Sequence, residues 1–298
     1  MIAFGSVVSD AEAYRRFAAA GVRLAAEPDS AVHVLSAVGS ICRGTNLLLD
    51  TVAAAHGDEL EALVIVDSRT ELTDRDVCAK VRAALSDPAV AVAGAVGARA
   101  VRTLAWWGGE VSAAPVVYRY YEHGGGEMEG YGWAPPTVPL GEVDAVDGFL
   151  LVLSPWAVRN VRFDETLATG HGFDVDYCLQ VREAGRKVVT ADLRAIHHRT
   201  LELVSDFEAW VEGHIDLAEK WDGRWPGREP EADWKPRARR AEAEREAART
   251  FAYSSANRLD AEVLALEREM AAMTGSRSWR VTAPLRRLNR ARRRRARA

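Results

Sequence analysis

Cysteine is scarce in this chain of 298 residues: three occur, Cys42, Cys78 and Cys178, far apart and odd in number. That leaves no disulfide framework and no Cys-x-x-Cys metal site, and it points to a reducing, cytoplasmic compartment. Long apolar runs are missing too. No window reaches the roughly 18–20 apolar residues of a spanning helix, and Met1-Ile2-Ala3-Phe4-Gly5 has no basic region ahead of an apolar stretch, so neither a bilayer span nor a signal peptide is expected. Without a Gly-x-Gly-x-x-Gly or a Walker A loop, the usual supports for dinucleotide binding and nucleotide hydrolysis are gone. Helix-turn-helix, zinc-finger and RNA-binding signatures are equally lacking.

What is present is ordinary for a globular chain: 48% hydrophobic and 28% charged residues, with 23 Gly and 11 Pro. The length suits one large domain or two modest ones, and collagen, wholesale disorder and a membrane bundle are excluded. The net charge of −4 hides a separation. Ten of the 39 basic residues and none of the 43 acidic ones fall in 276–298, so the rest of the chain carries −14. An acidic body with a cationic end seeks an anionic partner, whether lipid headgroups, nucleic acid or an acidic protein surface.

Along the first two hundred residues, short β-rich apolar runs alternate with helical spacing, as in βαβ units. Strands are expected over 2–8, 32–38, 62–66, 90–96, 146–153 and 188–196. Helices are expected over 11–20, from an N-cap at Ser40 to about residue 55, over 74–85, and over 173–184 with Gly185 as the stop. The apolar strand ending at Val66 runs into Asp67-Ser68-Arg69-Thr70-Glu71, and polar residues just past a buried strand's carboxyl end sit where open α/β sheets bind ligands. Residues 101–142 are rich in Gly, Trp, Tyr and Pro with no steady period, which reads as a functional loop region. Composition changes after Trp225. Four parts follow: a domain over 1–225, a linker over 226–240, a long helix over 241–275 and an Arg-rich amphipathic tail over 276–298. In the helix, Ala252, Ala256, Leu259, Val263, Leu266, Met270 and Met273 are spaced 4-3-4-3-4-3, which fits a short coiled-coil seam able to support a homo-oligomer and fits equally a helix laid against its own domain.

Four segments carry a resemblance: Ser40-Ile41-Cys42-Arg43-Gly44-Thr45-Asn46, Val66-Asp67-Ser68-Arg69, Val143-Asp144-Ala145-Val146-Asp147-Gly148 and the run from Gly170-His171-Gly172-Phe173-Asp174 to Arg182. In order and spacing they resemble the family-two-like glycosyltransferases of bacterial envelope polysaccharide synthesis, over roughly residues 1–215. The resemblance implies an α/β GT-A fold, a single Rossmann-like mixed sheet flanked by helices, followed by the long helix and basic tail. It implies an enzyme of the hexosyltransferase kind, moving a sugar with inversion from a nucleotide-diphosphate sugar to a hydroxyl of a polysaccharide or glycolipid. The alternative is a non-catalytic GT-A-like scaffold that binds carbohydrate or a partner.

Family members neutralise the leaving diphosphate with a strand-end Asp-x-Asp whose second acid ligates Mn²⁺ or Mg²⁺, often with a His beyond the late helix. Here the second acid is Arg69. A guanidinium cannot ligate a cation but supplies fixed positive charge and bidentate hydrogen bonds to phosphate. Arg69 standing in for the metal, Asp67 ligating a divalent cation with His198 and Glu71, and a degenerate site are the three readings open at this stage.

The resemblance makes Asp174, at the start of the late helix, the general base. Backbone N–H groups and the helix dipole are expected to lower its pKa and keep it ionised. Asp176, two residues on, is expected to brace the site. Asp10, Arg43, Asn46, Asp67 and Arg69 are expected at the donor, and Trp106, Trp107, Asp147 and Gly148 at the acceptor and sugar, where aromatic faces suit C–H surfaces and glycine permits close approach. The tail, with Trp279, aliphatics and arginines, resembles a terminal motif of envelope glycosyltransferases and implies peripheral attachment to the inner face of the plasma membrane, nucleic acid being the less favoured partner.

Overall fold

The computed structural model describes residues 1–284 other than 37–38, 130–133, 168–169, 203, 205 and 226–234. In chain order the strands are β1 (Ile2–Val8), β2 (Ala31–Ser36), β3 (Ala62–Val66), β4 (Thr70–Leu72), β5 (Val90–Gly94), β6 (Val96–Arg99), β7 (Glu110–Ala113), β8 (Val116–Tyr120), β9 (Gly126–Glu129), β10 (Glu142–Val143), β11 (Ala145–Val146), β12 (Leu150–Leu153), β13 (Lys187–Thr190) and β14 (Ala195–His198). The helices are α1 (Ala11–Ala13), α2 (Ala19–Ala25), α3 (Ile41–His56), α4 (Val77–Ala84), α5 (Pro155–Asn160), α6 (Phe173–Glu183), α7 (Phe207–Lys220), α8 (Lys235–Gly275) and α9 (Arg277–Val281).

The uninterrupted apolar runs Ala62–Val66, Val90–Gly94 and Leu150–Leu153 are buried along their whole length. They form the middle of a seven-stranded sheet ordered β10-β13-β5-β12-β3-β1-β2, as expected of strands covered on both faces. β2 is an edge strand, and its Val32 and Val34 are about half exposed. The α/β class and the mixed sheet are those expected from the sequence. β1, β2 and β3 run parallel, and β12 is antiparallel to both β3 and β5. That reversal builds the site. Val66 pairs with Leu150, so the carboxyl end of β3 lies beside the amino end of β12, and the Asp67 N–H donates to the Phe149 carbonyl at 3.0 Å.

Several expected elements divide. The strand over 90–96 breaks at Ala95, and that over 146–153 breaks at Asp147–Phe149, so β6 and β11 leave the main sheet for a second one with β7. The strand over 188–196 likewise becomes β13 and β14, the latter in a third sheet with β4, β8 and β9. Residues 101–142 are therefore no structureless loop: β7, β8 and β9 lie inside them. The helix expected over 11–20 continues to Ala25 through a π turn over Tyr14–Ala18. The last two residues of the strand expected over 32–38 lie outside the described residues.

α8 begins at Lys235, ahead of the expected start, and part of the expected linker, 226–234, lies outside the described residues. Its inward face carries mainly small residues, Ala243, Ala247, Thr250, Ser254 and Ala261, with Glu246 buried among them. Leu259, Val263, Leu266, Met270 and Met273 of the heptad seam are each more than half exposed, so the seam is not what packs on the domain. Ser276 caps α9 by accepting the Trp279 N–H. Residues 285–298, the most arginine-rich part of the tail, lie outside the described residues. Among the described residues no helix is long and apolar enough to cross a membrane.

Candidate active site

A cavity of about 320 Å³ opens where β3 and β12 meet the start of α6. Asp67 and Arg69 border it from β3, Asp147 and Gly148 from the β11–β12 junction, and Asp174 from the first turn of α6. Gly172, left-handed at φ 74°, turns the chain into that helix, where a Cβ would come 3.2 Å from Leu104 and 3.3 Å from Leu217.

Asp174 accepts the Gly148 N–H on Oδ2 at 2.8 Å and the Val175 N–H on Oδ1 at 2.9 Å. Both bonds favour the carboxylate, as expected from a helix start. Burial and the nearby Asp147 outweigh them and push the carboxyl up to about 7. The expectation of a depressed pKa is thus corrected: a helix N-terminus acts within a turn, whereas the surrounding protein strips water from the whole group. Asp176 is buried and faces away, accepting from Lys220 Nζ at 2.7 Å, Trp221 Nε1 at 2.8 Å and Gln180 Nε2 at 2.8 Å. It ties α6 to α7, which is the bracing role expected of it.

Trp106 and Trp107 sit in a short turn and meet edge to face, ring centroids 5.6 Å apart. Trp106 is core, whereas Trp107 stacks on Trp210 of α7 at 5.8 Å, and His171 meets Trp210 edge on at 5.5 Å. All four line the cavity. His171 was visible in the motif that precedes Asp174, whereas Trp210 gave no motif signal, because only the docking of α7 brings it there.

A second cavity, of about 540 Å³, lies on the other side of Arg69. Asp10, Arg16, Phe17, Tyr121 and His198 border it, and Arg69 and Arg199 border both cavities. Asp10 caps α1, accepting the Glu12 and Ala13 N–H groups, and its other oxygen accepts from Arg69 Nη2 at 3.1 Å. The Ala13 bond first, and Arg69 after the opposing effect of burial, hold its carboxyl below the usual range. Arg199 forms no ion pair among the described residues. It follows His197-His198 directly and was legible only as the next residue of that run.

Two expected donor residues are placed elsewhere. Asn46 clamps the Phe163 backbone, with Oδ1 accepting the N–H at 2.9 Å and Nδ2 donating to the carbonyl at 2.9 Å, so its amide is used in holding α3 to the segment after α5. Arg43 is exposed on the first turn of α3 and borders neither cavity. The Asp67–His198 metal pair is also corrected. Asp67 borders the first cavity and His198 the second, and both ring nitrogens of His198 are engaged: Nε2 with Glu71 Oε2 at 2.8 Å, Nδ1 with Tyr121 Oη at 2.7 Å. Among the described residues no group of three or more His, Cys, Asp or Glu side chains is arranged to hold a metal ion. Asp67 and His198 thus do not form a ready donor set for a divalent cation, and Arg69 and Arg199 stand at the cavity junction.

No protein-family model matches the chain. A curated relative, the streptomycin biosynthesis protein StrF of Streptomyces griseus, is 27% identical over 199 residues, a match covering 66% of this chain and 66%, just under two thirds, of that protein. Among solved structures, the mannosyltransferase PcManGT of Pyrobaculum calidifontis, determined with GDP-Man and Mn²⁺, is similar at 14% identity and a TM-score of 0.43 over 94% of this chain and 81% of that one. A glycosyltransferase involved in the glycosylation of the major capsid of PBCV-1 is similar at 9% identity and a TM-score of 0.32, over 78% and 81% of the two chains. A197 from STIV is similar at 13% identity and 0.41, over 66% and 84%. At these levels none of the structures assigns an activity.

Proposed function

We propose that the protein is an inverting glycosyltransferase that moves a sugar from a nucleoside-diphosphate donor to an acceptor hydroxyl. The observation that carries this reading is the pair of cavities meeting at Arg69 and Arg199. The cavity bordered by Phe17, Tyr121 and His198 takes the nucleoside, the two guanidiniums at the junction hold the diphosphate, and the sugar reaches into the cavity bordered by Asp174. A curated relative concerned with biosynthesis accords with a transferase.

Asp174 accepts the acceptor's hydroxyl proton as the oxygen attacks the anomeric carbon, and the diphosphate departs with the electrons of the broken bond. A carboxyl held near neutrality suits a general base working near neutral pH. Negative charge growing on the leaving diphosphate meets Arg69 and Arg199, fixed donors that need no cation between them and phosphate. Trp107, stacked on Trp210, presents an aromatic face to the sugars, and attack from the side opposite the leaving group gives inversion. The acceptor class is a polysaccharide or glycolipid of the cell envelope, reached by a tail that rests on anionic lipid, and the exposed seam of α8 is available to a second copy.

Calorimetry with UDP-, GDP- and dTDP-sugars, with and without Mn²⁺, tests the reading. Binding of one donor class followed by transfer supports it, and absence of binding across the panel overturns it.

A further inference from the structure

We propose that Glu71, His198 and Tyr121 form a hydrogen-bonded relay that fixes Tyr121 as an acceptor for an N–H group of the donor's nucleobase. This rests on the donor reading above and deepens it. The relay is contiguous: Glu71 Oε2 lies 2.8 Å from His198 Nε2, and His198 Nδ1 lies 2.7 Å from Tyr121 Oη.

Proton counting sets its direction. A carboxylate only accepts, so the proton between Glu71 and His198 belongs to Nε2. A neutral imidazole protonated on Nε2 offers a lone pair on Nδ1, and the Tyr121 O–H donates to it. The phenol's single proton is thereby committed inward, and only Oη lone pairs remain for a ligand. Burial, the largest influence on His198, lowers its pKa and favours the neutral ring that this pattern requires.

The surroundings match a flat, anionic ligand. Phe17 stacks on His198 with centroids 3.7 Å apart and planes within 12°, which holds the imidazole in one orientation. The Tyr121 ring is near-parallel to both, and the Arg16 guanidinium lies 5.5 Å from its centroid. Tyr121 is 51% exposed and borders the cavity, whereas His198 is 2% exposed, so the tyrosine meets the ligand and the histidine and Glu71 position it. A nucleobase supplies the aromatic face and the donating edge, and its diphosphate extends toward Arg69 and Arg199.

The test uses the full chain and calorimetry with UDP, GDP, dTDP, ADP, CDP and inorganic pyrophosphate. Tyr121→Phe should weaken the bound nucleotide about 5–10-fold, the effect of one hydrogen bond, and leave pyrophosphate unchanged. Glu71→Ala should weaken it similarly by releasing the tautomer, and Glu71→Gln, whose carbonyl still accepts from Nε2–H, should retain most of the affinity. Nitrogen-15 NMR of the His198 ring should show the Nε2-protonated tautomer in the wild type and a mixture in Glu71→Ala. A His198 protonated on Nδ1, or a Tyr121→Phe variant that binds nucleotide as before or loses pyrophosphate equally, overturns the relay while leaving the donor reading standing. Wild-type protein that binds none of the probes overturns both.

Discussion

Gly148 donates its N–H to Asp174 Oδ2 at 2.8 Å, and a Cβ on that glycine would come 2.7 Å from Phe173 Cζ and 3.1 Å from Asp174 Cβ. The residue that bonds Asp174 is thus one with little room for a side chain. Gly148→Ala should displace Phe173 and Asp174 together, lowering kcat/KM at least tenfold and costing about 1–3 kcal/mol of stability, read by steady-state kinetics and thermal melting. An alanine variant with wild-type activity would show that the close approach does not matter.

Asp174→Asn should separate catalysis from stability. The folded protein holds the Asp174 proton up to about pH 7, whereas an unfolded carboxyl releases it near pH 4. The folded state binds more protons across that window, so the group's effect on stability worsens as pH rises from about 4 to 7 and stays unfavourable above. At pH 8 the asparagine variant should melt higher than wild type, by on the order of 1–3 kcal/mol, and lose at least a hundredfold in transfer. A lower melting temperature would contradict the burial account.

Activity should fall with decreasing pH on the acid side. With Asp174 as the base, log kcat/KM should rise with unit slope below about pH 7 and level off above it, and the Asp147→Asn variant should shift the break downward by removing the repelling charge. A profile flat to pH 5 assigns the proton transfer to another group.

Arginine in the place of a metal ligand predicts insensitivity to chelators. Transfer should persist in EDTA, and Arg199→Ala should reduce kcat by about a hundredfold while Arg199→Lys recovers part of it. Activity abolished by EDTA and restored by Mn²⁺ would assign the leaving-group charge to a cation.

The tail should bind lipid. Full-length protein should sediment with vesicles containing anionic lipid at low salt, release as salt is raised, and stay in solution when residues 276–298 are deleted. Equal sedimentation of the truncated chain would place membrane binding elsewhere.

The amino-acid sequence by itself determined the buried strands, because an unbroken apolar run such as Ala62–Val66 has few other places to go; it marked Asp67 and Arg69 by their place past a strand end, and its resemblance to a known family marked Gly148 and Asp174. It determined the separation of charge as well. Only the tertiary structure decided that Asn46 clamps a backbone, that His198 joins Glu71 to Tyr121, and that Trp210 and Arg199 reach the cavities, since each depends on segments far apart in the chain meeting across the sheet's edge. It also decided the sign of the Asp174 shift. Capping is local and readable from neighbours, whereas removal of water depends on everything packed around the group.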